Sequence, residues 1–215
     1  MNKCKICKAN IITISDTKVE KLYYRCLSCD YIFLDKKYHL DATQEKSHYD
    51  NHDNNLDSLG YVKMFEKLIE EFVAPKTKYI NTALDFGCGE GAVLPFLLER
   101  NGISCDKYDL FYFAQKIYRD KKYDLVVCTE VIEHLANPLE TLKELLLHLN
   151  KDGYLLLMTY FHPSDDEKFF KWFYIKDATH IGFFSLKTFE YLASELGLEM
   201  LKHNSKNSIM FRKIS

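Results

Sequence analysis

The sequence predicts an α/β chain. A doubly wound, mostly parallel Rossmann-like sheet, closed by a C-terminal antiparallel hairpin, follows a small cysteine-clamped ribbon at the N-terminus. Three observations predict it. Short apolar runs alternate with helical-period segments from residue 58 onward, the pattern of strands buried on both faces. A glycine-rich turn, Gly87-Cys88-Gly89-Glu90-Gly91, joins the first of those runs to a helical segment. Two Cys-x-x-Cys pairs, Cys4/Cys7 and Cys26/Cys29, stand near the N-terminus with the stretch from Lys8 to Arg25 between them.

The cysteine pairs come first in the chain. Their spacing, with the β-rich stretches Ile11–Ile14 and Leu22–Arg25 between them, is that of a four-thiolate zinc site. Four thiolates fill a tetrahedron, so Cys4, Cys7, Cys26 and Cys29 predict a structural zinc and a zinc ribbon over residues 1–37. A unit this small needs the metal because it cannot bury enough apolar surface alone. Residues 38–57 are polar and irregular and read as a linker or flap, with Tyr49-Asp50-Asn51-His52 as a segment able to cover a ligand.

Residues 58–215 are expected to form the main domain. Val62, Phe65, Leu68, Ile69 and Phe72 share one helical face over residues 58–74, with Ser58 as cap and Pro75 as stop. Strands are expected at 79–86, 103–109, 123–129 and 153–160, and helices at 90–101, 138–149 and 185–196. Two short strands at 198–201 and 209–212 suggest the final hairpin.

Composition narrows the function classes. Hydrophobic residues make up 47% and charged residues 28% of 215, so a normal core can be buried. A net charge of −2 gives no global field for nucleic acid. No apolar run reaches the ~20 residues of a membrane span, and Met1-Asn2-Lys3-Cys4 opens no apolar leader. An odd cysteine total fits reduced thiols and a cytoplasmic protein. The isolated Cys88, Cys105 and Cys128 read as small buried hydrophobes.

The glycine turn carries the first chemistry. Glycines let the backbone turn tightly and approach a ligand, and Asp85 before them offers an acid to a cationic or hydroxyl group. Asp109 ends the next strand, where a ribose diol sits in a doubly wound sheet. After the 123–129 strand comes Glu130-Val131-Ile132-Glu133-His134. Glu130, Glu133 and His134 fall at i, i+3 and i+4, so one helical turn would gather them. Two carboxylates and an imidazole suit Mg²⁺, Mn²⁺ or Zn²⁺.

Asp85-x-Gly-x-Gly-x-Gly, the 123–134 segment, the 153–163 segment and His180-x-x-x-Phe184-Ser185 together resemble class I S-adenosylmethionine-dependent methyltransferases over roughly residues 60–215. The likeness points to the branch of ubiquinone-biosynthesis O-methyltransferases. It implies S-adenosylmethionine as methyl donor, bound by Asp85, Gly87, Cys88, Gly89, Gly91, Asp109, Leu110, Thr129 and Glu130. The stretch from Leu110 to Lys122 is too short for the helix and third strand that many members have there. Leu110 stands in as the adenine contact. Glu-x-x-Glu-His resembles the divalent-metal site of ubiquinone and small-RNA 2′-O-methyltransferases, with His180 or His162 to complete it.

Three readings of Glu133, His134 and His180 stay open: a Mg²⁺ or Mn²⁺ site with Glu130, a metal-free base, or packing against the cofactor. The aromatic-dense stretch 161–184 reads as a lid over the substrate or as core. Residues 1–37 carry eight Lys/Arg against four acids, a modest excess. A small-molecule substrate methylated on oxygen is the leading expectation. An RNA methyltransferase that uses the ribbon to bind nucleic acid is the alternative, and a non-enzymatic adaptor is a third. The sequence carries no signal for oligomeric state.

Overall fold

The computed structural model describes residues 3–50 and 54–214. The main sheet has six strands: β4 (Thr82–Phe86), β5 (Ser104–Tyr108), β6 (Tyr123–Thr129), β7 (Leu149–Met158), β9 (Leu198–His203) and β10 (Ser208–Lys213). Their order is β5-β4-β6-β7-β10-β9. β5, β4, β6 and β7 run parallel, and β10 pairs antiparallel with β7 and β9. The C-terminal hairpin is therefore present and closes one edge. At the other edge β5 has no further neighbour among the described residues, because the segment from Leu110 to Lys122 is made of turns and coil around one isolated bridge. Tyr118 from those turns is fully buried and packs edge-on against Tyr108.

Alternation along the strands builds two cores. Leu84, Val126, Leu155 and Leu157 face one side, against Leu139, Leu142 and Leu145 of α4 (Pro138–Leu147) and Phe189 and Leu192 of α6 (Leu186–Leu196). Ala83, Leu125, Val127 and Leu156 face the other, against Phe65 and Leu68 of α2 (Leu59–Leu68) and Leu94 and Leu97 of α3 (Val93–Arg100). Each large side chain so buried contributes about 1.5–3 kcal/mol.

Several boundaries differ from the sequence expectation for local reasons. The helix expected over 58–74 is α-helical only to Leu68, then widens into a π turn (Ile69–Val73) and tightens into a 3-10 turn (Ala74–Tyr79). Pro75 lacks the N–H an α-helix needs but fits the first turn of a 3-10 helix. β4 consequently begins at Thr82 and not Tyr79. The helix expected from Glu90 starts at Val93, because Ala92 is left-handed at φ 42°.

A second sheet has the order β1-β2-β3-β8. β1 (Ile11–Asp16), β2 (Val19–Cys26) and β3 (Ile32–Leu34) come from the N-terminal segment, whereas β8 (Gly182–Phe183) comes from the main domain. Ile32 pairs with Phe183 and Phe33 with Gly182. A side chain at Gly182 would place its Cβ 2.3 Å from the Tyr31 hydroxyl, so glycine permits this approach. Thr188 donates to the Cys29 carbonyl at 2.9 Å, and His162 Nε2 lies 2.9 Å from the Asp30 carbonyl. Arg25 of β2 reaches Asp166, the first residue of α5 (Asp166–Lys171), at 2.7 Å. The cysteine-bearing sheet is thus knit into the flank of the larger domain.

Residues 42–49 form helix α1 (Ala42–Tyr49), with Asp41 and Gln44 making a capping box. It buries none of its residues fully. Asn51 and His52, half of the expected covering segment, lie outside the described residues.

Candidate active site

The parallel strands deliver their carboxyl ends to one edge, where a doubly wound sheet binds ligands. Gly87 and Cys88 both donate backbone N–H groups to the Tyr108 carbonyl, at 2.7 and 3.1 Å, which seats the glycine turn on the end of β5. Gly89 N–H donates to Asp109 Oδ2 at 3.0 Å, while Asp109 Oδ1 accepts from Phe111 and Tyr112 at 2.9 and 3.2 Å. Asp85 is buried, and its Oδ1 lacks a hydrogen-bond partner among the described residues. Burial, and then the Asp109 charge, push its carboxyl up to about 8. A buried carboxyl with an unpartnered oxygen beside a second acid is a receptor for positive charge.

The other predicted cofactor residues fall around this cleft. Cys88 is buried, and burial followed by the Asp85 charge pushes its thiol up. Cys105 and Cys128 are buried too. Gly91 lies against the Asn54 backbone, where a Cβ would come within 2.2 Å of the carbonyl oxygen. Leu110 follows β5 at 63% exposure, which leaves its face open to a planar group. Thr129 is buried at the end of β6. Glu130 is left-handed at φ 51°, an uncommon conformation that in non-glycine residues clusters at functional sites. Tyr61 of α2 was not singled out from the sequence. Burial, and then the Asp85 and Glu130 charges, raise its phenol.

Beyond the cofactor cleft, Glu133 and His134 lie in a 3-10 turn (Ile132–His134) after β6. The structure brings His180 to them, and one ligand atom from each of Glu133, His134 and His180 lies within 4.8 Å of the others. His162 goes elsewhere. Its side chain is buried between the Pro163 and Asp30 carbonyls, against the cysteine-bearing sheet.

Backbone carbonyls orient the two imidazoles. His134 Nδ1 is 3.1 Å from Thr179 O, and His180 Nδ1 is 2.8 Å from Tyr174 O. Such contacts fix the tautomer with Nδ1 protonated. Burial, then the neighbouring His180, push His134 down to about 3, so it stays neutral.

Tyr174, from the aromatic-dense stretch, is the hub of the acids. Its hydroxyl lies 2.9 Å from Glu130, hydrogen-bonds Glu133, and is 3.2 Å from Thr159 Oγ1. One phenol proton cannot serve two carboxylates, so the pair keeps a proton of its own. Burial accordingly drives Glu133 well above the ordinary carboxylate range and Glu130 up to about 7. Glu130 Oε1 and Glu133 Oε2 are buried without partners among the described residues. Two imidazoles and proton-retaining acids with unused oxygens fit a divalent cation, which would replace the proton.

At the cysteine cluster, all four sulfurs lie within 4.8 Å of one another. Cys4 and Cys29 are 3.6 Å apart, and Cys7 and Cys26 3.2 Å. Each pair forms the same knuckle. Ile6 and Cys7 N–H groups point at Cys4 Sγ, and Ser28 and Cys29 N–H groups at Cys26 Sγ. Lys8 and Asp30, after the second cysteine of each pair, are both left-handed at φ 59° and 62°. Four converging sulfurs, two of which collect backbone N–H donors, suit thiolates around a tetrahedral metal.

Comparison with known proteins follows the same outline. A 46-residue stretch is 44% identical to a tRNA U34 carboxymethyltransferase of Campylobacter fetus subsp. fetus (strain 82-40), covering 21% of this chain and only 16% of that protein. The fold is similar to the plantazolicin methyltransferase BpumL in complex with SAH, with a TM-score of 0.52 and 16% identity over 84% of this chain and 93% of that one. It is also similar to the mitomycin 7-O-methyltransferase MmcR, at a TM-score of 0.50 and 13% identity over 62% of this chain and 49% of that one. A family profile described as a methyltransferase domain matches residues 61–203, from α2 through β9. With that match across the glycine turn, Asp109 and the β6 loop, the chain belongs to the methyltransferase-domain family.

Proposed function

We propose that the enzyme methylates a hydroxyl on a small molecule, with Glu133, His134 and His180, joined by Glu130, holding a divalent cation such as Mg²⁺ or Mn²⁺. The observation that carries this reading is the convergence of the three ligand atoms within 4.8 Å beside the cofactor cleft. A cation there supplies charge that lowers the pKa of a bound hydroxyl. The chain's residues do the rest. Asp85, the glycine turn and Asp109 hold and orient the methyl donor, and Tyr174 fixes the two glutamates. His134, kept neutral by burial, is better suited to coordination than to proton uptake. Cys4, Cys7, Cys26 and Cys29 hold a structural zinc.

Titration of the zinc-loaded, EDTA-washed protein with Mn²⁺ tests this. The expected result is one site beyond the ribbon zinc, lost in Glu133→Gln, because the amide keeps the shape and removes the charge. No Mn²⁺ binding by a folded wild type, in the presence of S-adenosylhomocysteine, would remove the metal from the reading.

The tRNA carboxymethyltransferase stretch favours a second reading, in which the substrate is RNA. Binding of RNA that weakens steeply with salt would select it.

A further inference from the structure

Asp177 stands outside every motif, yet it touches the settings of all three histidines at the reaction end of the cleft. Its Oδ1 accepts from Thr179 N–H at 2.8 Å and Thr179 Oγ1 at 2.6 Å. The Thr179 carbonyl in turn orients His134. Asp177 Oδ2 lies 3.9 Å from His180 Nε2. From the other side, His48 of α1 reaches Asp177 Oδ1 at 3.1 Å. The next residue of α1, Tyr49, packs edge-on against His134 with ring centroids 5.5 Å apart. Helix α1 has no fully buried residue to anchor it. Its contacts to Asp177 and His134 lead directly to the reaction centre.

We propose that Asp177 is the positioning residue of the reaction centre, a single carboxylate that sets the turn orienting His134, flanks His180, and docks His48 so that helix α1 becomes a wall of the centre. The proposal rests on the reading of Glu133, His134 and His180 as that centre. It adds that α1 and the cluster are ordered together. A substrate would then meet a centre whose histidines and covering helix share one anchor.

The test uses full-length, zinc-loaded protein and two variants, Asp177→Asn and His48→Ala. Imidazole ¹⁵N–¹H spectra report the rings, and hydrogen exchange reports the α1 amides. Asp177→Asn should shift the ring signals of His48, His134 and His180 together and speed exchange across residues 42–49 about tenfold, the loss of one charged hydrogen bond. His48→Ala, at a half-exposed position that should not threaten folding, should speed α1 exchange by a similar factor and leave the His134 signals near wild type. Unmoved His48 and His180 signals in folded Asp177→Asn, or wild-type α1 exchange in His48→Ala, would overturn the proposal. Mn²⁺ titration of the same samples separates the two ideas. Absent Mn²⁺ binding with coupled rings removes the metal alone, and uncoupled rings with intact Mn²⁺ binding remove the role of Asp177 alone.

Discussion

Gly89 donates its backbone N–H to Asp109 Oδ2 at 3.0 Å, so the glycine turn and the end of β5 are joined across the cofactor cleft. Gly89 is left-handed at φ 65°, and a Cβ built on it meets nothing within 4 Å. The space beside it is open to a ligand. Gly89→Val would put a branched side chain there and force a β-branched residue into the left-handed region, at about 1–2 kcal/mol. The domain should remain folded, and affinity for S-adenosylhomocysteine should fall by about 100-fold or more, or about 2.7 kcal/mol. Calorimetry on the folded variant decides; unchanged affinity would move the cofactor away from this turn.

Asp85 gives a pH signature. Its folded-state value of about 8 lies above the unfolded value of about 3.9. The unfolded chain therefore releases this proton first. The cost to stability is absent below about pH 4, grows as pH rises, and is complete above about pH 8. Asp85→Asn removes the charge and keeps the shape. It should match wild type near pH 4 and exceed it by a few kcal/mol above pH 8, measured by urea unfolding at both ends. A pH-independent difference between the two proteins would show that Asp85 ionises freely in the fold.

The positions of the β4 glycine turn, Asp109 and the β6 loop could be read from short local motifs, although Glu130, left-handed at φ 51°, stays outside the turn that holds Glu133 and His134. At the start of α6 the structure adds a capping box between Ser185 and Thr188. The rest depends on distant pairings. His180 and His162 were equal candidates by residue type. The β3–β8 pairing and the Ile181 N–H bond to the Glu133 carbonyl, both formed by residues distant in the chain, place His180 at the cluster. Asp177 and His48 meet from segments far apart in the chain, with no shared pattern to link them. The π and 3-10 turns after α2 were hidden because the apolar period runs unbroken to Phe72, and periodicity does not distinguish helix types.

Tyr174 should be worth more than its ring. Its hydroxyl contacts both Glu130 and Glu133, and each acid has a buried oxygen already unpartnered among the described residues. Tyr174→Phe keeps the aromatic packing on His180, at 4.0 Å between centroids, and removes the hydroxyl. Stranding buried acceptors costs about 1–3 kcal/mol, so unfolding should shift to lower denaturant by that amount with an unchanged slope. Added Mn²⁺ should recover part of the loss in the variant if a cation can replace the missing donor. A variant as stable as wild type would mean the two acids find other partners.

The cysteine cluster yields the last prediction. Protein purified under reducing conditions and never exposed to chelator should contain about one zinc per chain. Cys26→Ser should lose it, because an alcohol is a poor replacement for a thiolate. The consequence should not stop at residue 37. β3 hydrogen-bonds β8, Leu34 N–H donates to the Ile181 carbonyl at 3.0 Å, and Ile181 N–H donates to the Glu133 carbonyl at 2.9 Å. That ladder leads from the cysteine-bearing sheet to the strand beside His180 and to the turn that holds Glu133. Hydrogen exchange in Cys26→Ser should therefore rise at residues 181–183 as well as in β1–β3. β4, β6 and β7, buried on both faces by two separate cores, should keep wild-type protection. Protection lost uniformly would mean the two sheets unfold as one unit, and protection lost only before residue 37 would mean the ribbon is an independent appendage. A zinc-free wild type with all of β1–β3 protected would remove the metal altogether and leave the four sulfurs as a packed apolar cluster.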